Sequence, residues 1–130
     1  HADLVALLNR VRQPFNVNAL AQIGGLAALG DVAFCNRCRE ENERGRGQLI
    51  RGLKRLKLKV YGGSANFAFV DVGDGQVVFE KLQKLGIIVR PLANYGLPEY
   101  IRVTIGTADQ NERFLLAIQS LTNCKGSTRD

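Results

Sequence analysis

The hydrophobic periodicity of this chain changes near residue 57, and that change constrains the fold more than any other feature of the sequence. Before it, apolar residues recur at helical spacing, as at Leu4, Leu7 and Leu8. After it, short apolar runs are separated by glycine-containing turns, which is typical of strands. We therefore predict an α+β domain in which N-terminal helices precede a small sheet.

Three helices are predicted in the first part of the chain. Asn18 and Asp31 precede the second and third of them. Both residue types cap helix N-termini, because a side-chain oxygen accepts a hydrogen bond from a backbone N–H of the first turn. We therefore expect the second helix to begin after Asn18 and the third after Asp31.

The second part of the chain reads as strand, strand, helix, strand, strand, helix. The predicted strands cover residues 58–61, 65–72, 87–89 and 101–105, and a helix covers residues 76–85. Thr107 and Gln110 have the capping-box spacing that begins the final helix. This order predicts a small mixed β-sheet covered by helices.

Length and composition exclude several classes of protein. The 130 residues suffice for one domain, 45% are hydrophobic, and no apolar run approaches the roughly 18 residues of a membrane span. The chain contains no Met, even at position 1, and does not begin with a signal peptide. We therefore expect a fragment or processed product of a protein that is neither disordered nor membrane-bound. Its three cysteines suggest a reducing, cytoplasmic compartment.

The net charge of +6 is concentrated in one segment. Residues 37–59 hold nine basic and three acidic side chains, whereas the rest of the chain is balanced. Clustered basic residues bind nucleic acid in some proteins. Because the chain has no Trp and no recognisable nucleic-acid-binding motif, we expect a solvated helix face and no nucleic-acid partner. The alternative is a stand-alone basic module that binds RNA or an acidic partner.

Cys35 and Cys38 have the spacing of a redox motif or of half a zinc site. A structural zinc needs about four ligands, and only Cys124 and His1 are available besides this pair. We therefore predict no metal site and interpret the pair as ordinary helix residues.

Two arginines are candidates for binding an anion. Arg90 ends one apolar strand and Arg102 lies within another. Alternation along that strand places the Arg102 side chain on one face of the sheet and those of Ile101 and Val103 on the other. The planar guanidinium grips a carboxylate or phosphate with two parallel hydrogen bonds. The spacing alone leaves open an ion pair with Glu99 or a bond to a backbone carbonyl.

Nearly the whole chain, from about residue 3 to residue 121, resembles a known family. The resemblance is carried by the segments Gly86-Ile-Ile-Val-Arg-Pro-Leu92, Asn94-Tyr-Gly-Leu-Pro98, Tyr100-Ile-Arg-Val-Thr-Ile-Gly-Thr107 and Asn111-Glu-Arg-Phe114. Together they resemble the C-terminal part of histidinol-phosphate aminotransferase. Val11-Arg-Gln-Pro-Phe-Asn-Val-Asn18, Ser64-Ala-Asn-Phe67 and the positions of Arg37, Asn42 and Gly45 agree with that family. Gly62 and Gly63 depart from it, because a proline-containing step is expected before Ser64.

The resemblance implies the small domain of a fold-type I transferase that depends on pyridoxal 5'-phosphate. Residues 1–18 would be an interdomain helix and linker, residues 19–124 the small domain, and residues 125–130 a tail. The implied enzyme is a cytoplasmic homodimer that converts glutamate and imidazole-acetol phosphate to 2-oxoglutarate and L-histidinol phosphate. A related transaminase with a different amino acceptor is the alternative.

The resemblance also assigns the arginines. Arg102 would bind the substrate carboxylate or phosphate, and Arg90 would belong to the same anion site. The lysine that forms the cofactor's Schiff base lies upstream of the matching segment, as do the other cofactor-binding residues. The expectation is therefore that this chain contains no catalytic or cofactor-binding residue and is inactive alone.

Overall fold

The structure is a computed structural model that describes residues 1–13 and 17–123. In it, the change of period near residue 57 lies where the N-terminal helices end and the β-sheet begins. The helices of the first part are α1 (Ala2–Val11), α2 (Ala19–Gly30) and α3 (Val32–Arg55). They are followed by β1 (Val60–Gly62), β2 (Phe67–Asp71), α4 (Gly75–Lys84), β3 (Arg90–Leu92), a 3-10 turn (Ala93–Tyr95), β4 (Leu97–Thr104) and α5 (Ala108–Asn123).

The predicted helix caps are confirmed. The side chain of Asn18 accepts a hydrogen bond from the Ala21 N–H at 2.8 Å, and Asp31 accepts one from the Phe34 N–H at 2.8 Å. At the start of α5, the N–H of Thr107 donates to Gln110 Oε1 at 3.0 Å, and the N–H of Gln110 donates to Thr107 Oγ1 at 3.4 Å. This reciprocal pair is the predicted capping box.

The chain divides into two units, His1–Arg37 and Cys38–Asp130. In the first unit, α1 and α2 contain no buried residue. The predicted apolar stripe of α1 is present but exposed, with Leu4, Leu7 and Leu8 at 57%, 57% and 56% exposure. The predicted domain limits at residues 18 and 124 stay predictions. Pro14, Phe15, Asn16 and residues 124–130 lie outside the described residues.

The second unit holds the hydrophobic core, which lies between one face of the sheet and three helices. Each helix contributes buried residues four positions apart, because that spacing places two side chains on one helical face. The central strands β2 and β4 contribute alternate residues to the same core. The main buried side chains are Leu49, Leu53, Val78, Leu82, Phe114 and Ile118 from the helices and Ala68, Val70, Ile101 and Val103 from the strands.

The strand order is β1-β2-β4-β3, and every neighbouring pair is antiparallel. The α+β class is confirmed, but the sheet is not mixed as predicted. The reason is that β2 and β3, which α4 connects, are not neighbours: β4 turns back through the 3-10 turn and pairs with both of them. The arrangement is a split β-α-β unit, whose two parallel strands are separated by an antiparallel one.

The predicted strand over residues 87–89 is wrong, since β3 begins at Arg90. Gly86, two residues after the end of α4, has φ +70°, and the N–H of Ile87 donates to the Leu82 carbonyl at 2.9 Å. The N–H of Ile87 thus satisfies a carbonyl at the C-terminal end of α4 and does not pair with another strand. Val89 is buried and Ile88 is exposed, so the run contributes to the core without pairing as a strand.

No single helix among the described residues is long and apolar enough to cross a membrane, and only the bent pair of α2 and α3 passes such a test, on length and composition alone.

Candidate anion-binding site

The face of the sheet opposite the core carries a lateral row of aromatic and basic residues. Strand register places Tyr61 opposite Phe69, Phe69 opposite Arg102, and Arg102 opposite Arg90. This row crosses all four strands. The prediction that Arg102 faces away from the buried Ile101 and Val103 is confirmed, because those side chains lie in the core on the other face.

Arg102 is held against an aromatic surface. Its side chain is half-buried, and its guanidinium carbon lies 5.2 Å from the centroid of the Phe67 ring. The Phe67 ring in turn packs on Phe69, with 5.4 Å between centroids. A guanidinium stacked on an aromatic face is oriented by the ring. Its edge therefore keeps hydrogen-bond donors free for a planar or tetrahedral anion.

Arg90 is more exposed and has its own aromatic support. Its guanidinium carbon lies 5.9 Å from the centroid of the Tyr95 ring. Tyr95 ends the 3-10 turn, and the next residue, Gly96, has φ +73°. The turn that sends β4 back along β3 thus also positions the ring beneath Arg90.

No carboxylate neutralises either arginine within the part of the chain that the structure describes. Neither guanidinium forms an ion pair or a hydrogen bond with another described residue. The alternative of an ion pair between one of these arginines and Glu99 is not realised. Like charges directly opposite on one sheet face repel each other. An anion placed between Arg90 and Arg102 relieves that repulsion.

Two small cavities adjoin the arginine pair. One, of about 280 Å³, is mainly aromatic and apolar, and Arg102 forms part of its wall together with Phe67, Phe69, Leu92, Tyr95 and Leu97. The other, of about 170 Å³, is lined by Ile88, Val89, Arg90, Arg102 and Thr104. The two arginines therefore share one cavity, and an aromatic cavity lies next to it.

Asn111 fixes Gly106, which lies just after the end of β4 and four residues beyond Arg102. Asn111 is 2% exposed and is the one buried polar residue among those that the structure describes. Its Oδ1 accepts from the Gly106 N–H at 2.9 Å, and its Nδ2 donates to the Gly106 carbonyl at 3.1 Å. Longer bonds reach the Gly45 carbonyl at 3.4 Å and Gln48 Oε1 at 3.3 Å. Sequence reasoning missed this anchor, because a lone Asn in a helix gives no signal of burial.

Tyrosines lie on the same sheet face at its β1 side. The rings of Tyr61 and Tyr100 are 6.1 Å apart between centroids. Desolvation, followed by the neighbouring Tyr61 and by the carboxylates of Asp71 and Glu99, raises the pKa of Tyr100 above its ordinary value of 10.0. Tyr100 is therefore a neutral hydrogen-bonding group across the physiological pH range.

No described lysine is placed to form a Schiff base with pyridoxal 5'-phosphate beside the two arginines. A lysine that forms a Schiff base is usually desolvated, so that its amine is neutral and nucleophilic. The described lysines are all exposed, and none lines the two cavities beside the arginines. They are Lys54, Lys57, Lys59, Lys81 and Lys84. We therefore derive no chemical step through that cofactor from the residues of this chain.

Cys35 and Cys38 both lie in α3 as exposed free thiols, so their predicted helical placement is confirmed. Among the described residues, no group of three or more His, Cys, Asp or Glu side chains is arranged to hold a metal ion. Cys124 lies outside those residues, and the absence of a metal site stays a prediction.

The basic segment lies largely on α3 and is partly neutralised by local acids. Arg44 pairs with Glu41 at 2.6 Å, rather than with Glu40 four residues before it. Arg46 pairs with Glu43 and also donates to the Gly63 carbonyl at 2.7 Å. Arg46 thereby links α3 to the loop after β1, which is a structural role.

Comparison with known proteins places the chain in a family. The sequence model of aminotransferase class I and II matches residues 1–118. A histidinol-phosphate aminotransferase of Cupriavidus pinatubonensis is 48% identical over 121 residues, which cover 90% of this chain and 32% of that protein. One of Dechloromonas aromatica is 50% identical over 117 residues, with 90% and 32% coverage. The chain thus spans about a third of the length of the relatives it matches.

Solved structures share the fold. The histidinol-phosphate aminotransferase of Clostridium acetobutylicum superposes with a TM-score of 0.82 over 94% of this chain and 38% of that one, at 23% identity. The enzyme of Sinorhizobium meliloti, solved in complex with pyridoxal-5'-phosphate, gives 0.79 over 92% and 34%, at 18% identity. At these identities the similarity establishes the fold. Because the family's sequence model extends over residues 1–118, the chain belongs to the class I and II aminotransferase family.

Proposed function

We propose that this chain is the C-terminal, substrate-anion-binding part of a histidinol-phosphate aminotransferase. The observation that carries the proposal is the pair Arg90 and Arg102, directly opposite on neighbouring strands and unpaired with any carboxylate among the described residues. Relatives that bear this enzyme name are about half identical to the chain. They support the specific reaction over other transaminations.

The proposed reaction moves an amino group from glutamate to imidazole-acetol phosphate, which yields 2-oxoglutarate and L-histidinol phosphate. Each of these molecules carries a carboxylate or a phosphate. A guanidinium forms two parallel hydrogen bonds with either group, so one arginine site serves both half-reactions. Arg102, held on the Phe67 ring, is proposed as the principal ligand, and Arg90 as the second cation of the same site.

The remaining parts of the enzyme are proposed by analogy with the family. Pyridoxal 5'-phosphate supplies the carbanion stabilisation that transamination requires. Its lysine and phosphate-binding residues are expected in the part of the relatives that this chain does not match. A cytoplasmic homodimer is the proposed assembly.

The test is a pair of charge-removing substitutions in a longer protein that restores the upstream region of the relatives. Arg102→Leu is expected to lower kcat/KM for glutamate and for the phosphorylated substrate, because a bound anion loses its charged partner. The loss of transition-state stabilisation should be about 2–4 kcal/mol. Arg51→Leu is the matched control, because Arg51 is exposed on α3, which packs on the opposite face of the sheet. It removes the same charge and should leave kcat/KM unchanged.

Three results would contradict the proposal. One is an unchanged kcat and KM in the Arg102→Leu enzyme. Another is transamination by the isolated 130-residue chain. The third is that Arg51→Leu has the larger effect, which would favour a function of the basic α3 surface. A longer protein that acts on glutamate but is indifferent to the acceptor's phosphate would point to a related transaminase.

A further inference from the structure

Thr104 lies beside the arginine pair without a structural task of its own. It belongs to the wall of the 170 Å³ cavity that Arg90 and Arg102 also line. Its side chain is exposed and makes no hydrogen bond with another described residue. A threonine is well suited to a strand through its β-branched shape alone. Its exposed hydroxyl is therefore available to a ligand in that cavity.

The backbone places this hydroxyl on the same side as the arginines. Residues two apart in a strand project from the same face, about 7 Å apart, so Thr104 follows Arg102 on the open face. Thr104 is the cross-strand partner of Phe67, and the Arg102 guanidinium lies over the Phe67 ring. The guanidinium is thus directed along the strand toward Thr104 rather than toward Tyr100.

The chemistry of the two anions differs in the number of acceptor oxygens. A carboxylate has two oxygens, and one guanidinium satisfies them both. A phosphate monoester has three terminal oxygens and a charge near −2 above about pH 7. It therefore benefits from a third donor and from a second cation, whereas a carboxylate gains little from either once it is bound by one arginine.

We infer that the Thr104 hydroxyl is a third hydrogen-bond donor of the anion site, and that it favours phosphate monoesters over carboxylates. In this arrangement Arg102 binds two oxygens of the anion, Arg90 supplies the second positive charge, and Thr104 donates to the remaining oxygen. The cavity of about 170 Å³ has room for a phosphate group. The inference rests on the proposed function, because it uses the same site.

The experiment uses the 130-residue chain and two probes, methyl phosphate and acetate. Each is titrated at about pH 8, where the phosphate monoester is a dianion, and at constant ionic strength because exposed charges are screened by salt. Binding is followed through the side-chain Nε–H signals of Arg90 and Arg102 in nitrogen-proton NMR spectra. The variants are Thr104→Val, which has the same shape without the hydroxyl, and Thr104→Ser, which keeps the hydroxyl.

Thr104→Val is expected to weaken methyl phosphate binding about three- to tenfold, as for one lost hydrogen bond to a charged group near solvent. Acetate binding should change by less than about twofold. Thr104→Ser should retain the wild-type preference for phosphate. Unchanged backbone amide spectra in the free variants will show that the strand is intact.

The outcomes separate this inference from the proposed function. If the wild-type chain binds both anions and Arg102→Leu abolishes binding, the anion site stands. An equal effect of Thr104→Val on both probes, or no effect on either, then overturns the role of Thr104 alone. If the wild-type chain binds neither probe through these arginines, the anion site itself is refuted, and the role of Thr104 with it.

Discussion

Replacement of Asn111 by Ala should destabilise the sheet-containing unit more than any surface change. Asn111 joins three parts of that unit: the turn after β4 through Gly106, the middle of α3 through Gly45 and Gln48, and its own helix α5. Alanine keeps the helix but removes every one of these bonds. The half-buried N–H and carbonyl of Gly106 then lose these partners.

The expected magnitude follows from the bond lengths. The two bonds to Gly106, at 2.9 and 3.1 Å, are close to the usual N–H···O distance, whereas those of 3.3 and 3.4 Å are long and weaker. A buried polar group left unsatisfied costs about 1–3 kcal/mol. Gly106 is only half-buried, so water partly replaces the lost bonds. We therefore expect Asn111→Ala to lower the free energy of unfolding by about 2–3 kcal/mol.

The measurement is urea unfolding followed by far-ultraviolet circular dichroism. For a domain of this size the same change should lower Tm by roughly 8–24 °C. Gln119→Ala is the matched control, because Gln119 is exposed on the same helix and its side chain makes no hydrogen bond with another described residue. It should change stability by less than about 0.5 kcal/mol. If Asn111→Ala were as mild as this control, the anchoring role would be refuted.

Two further predictions concern the same unit. Gly45→Ala places a Cβ 2.7 Å from Ile105 Cγ2 and 3.0 Å from the Gly106 carbonyl oxygen, so we expect a loss of about 1–3 kcal/mol in urea unfolding despite the better helix propensity of Ala. Gly47→Ala, where a Cβ meets only the mobile end of Arg51, should be neutral or stabilising, and the reverse order of the two would contradict the packing. The raised pKa of Tyr100 predicts that one of the three tyrosines ionises late in an ultraviolet titration and that Tyr100→Phe removes this component. Because the folded state holds that proton more tightly, stability should fall as pH rises above about 10, and an unaltered titration in the variant would refute the assignment.

Local signals in the sequence predicted the ends of the helices well. Asn18, Asp31 and Thr107 accept the backbone hydrogen bonds that their positions predicted. Capping depends on a few consecutive residues, so it is readable without knowing the rest of the fold. The alternation in residues 101–105 likewise assigned Arg102 to the face opposite Ile101 before any strand partner was known.

Long-range pairing was not readable in the same way. The apolar run at residues 87–89 has the composition of a strand, but the end of α4 uses the Ile87 N–H and pairing begins only at Arg90. A mixed sheet followed from the strand-helix-strand order, yet the return of β4 between β2 and β3 makes every neighbour antiparallel. Both outcomes depend on which strand lies beside which, and sequence order does not specify that.

The candidate site divides along the same line. The sequence by itself determined that Arg90 and Arg102 are forked donors at apolar strands and, through the resemblance of the segments around them, which family the chain belongs to. Only the tertiary structure decided that the two arginines lie directly opposite each other, that Phe67 and Tyr95 support them, and that Thr104 shares their cavity. The physical reason is that residue type and periodicity are local properties, whereas a binding site is made by strand register, which brings together residues distant in the chain.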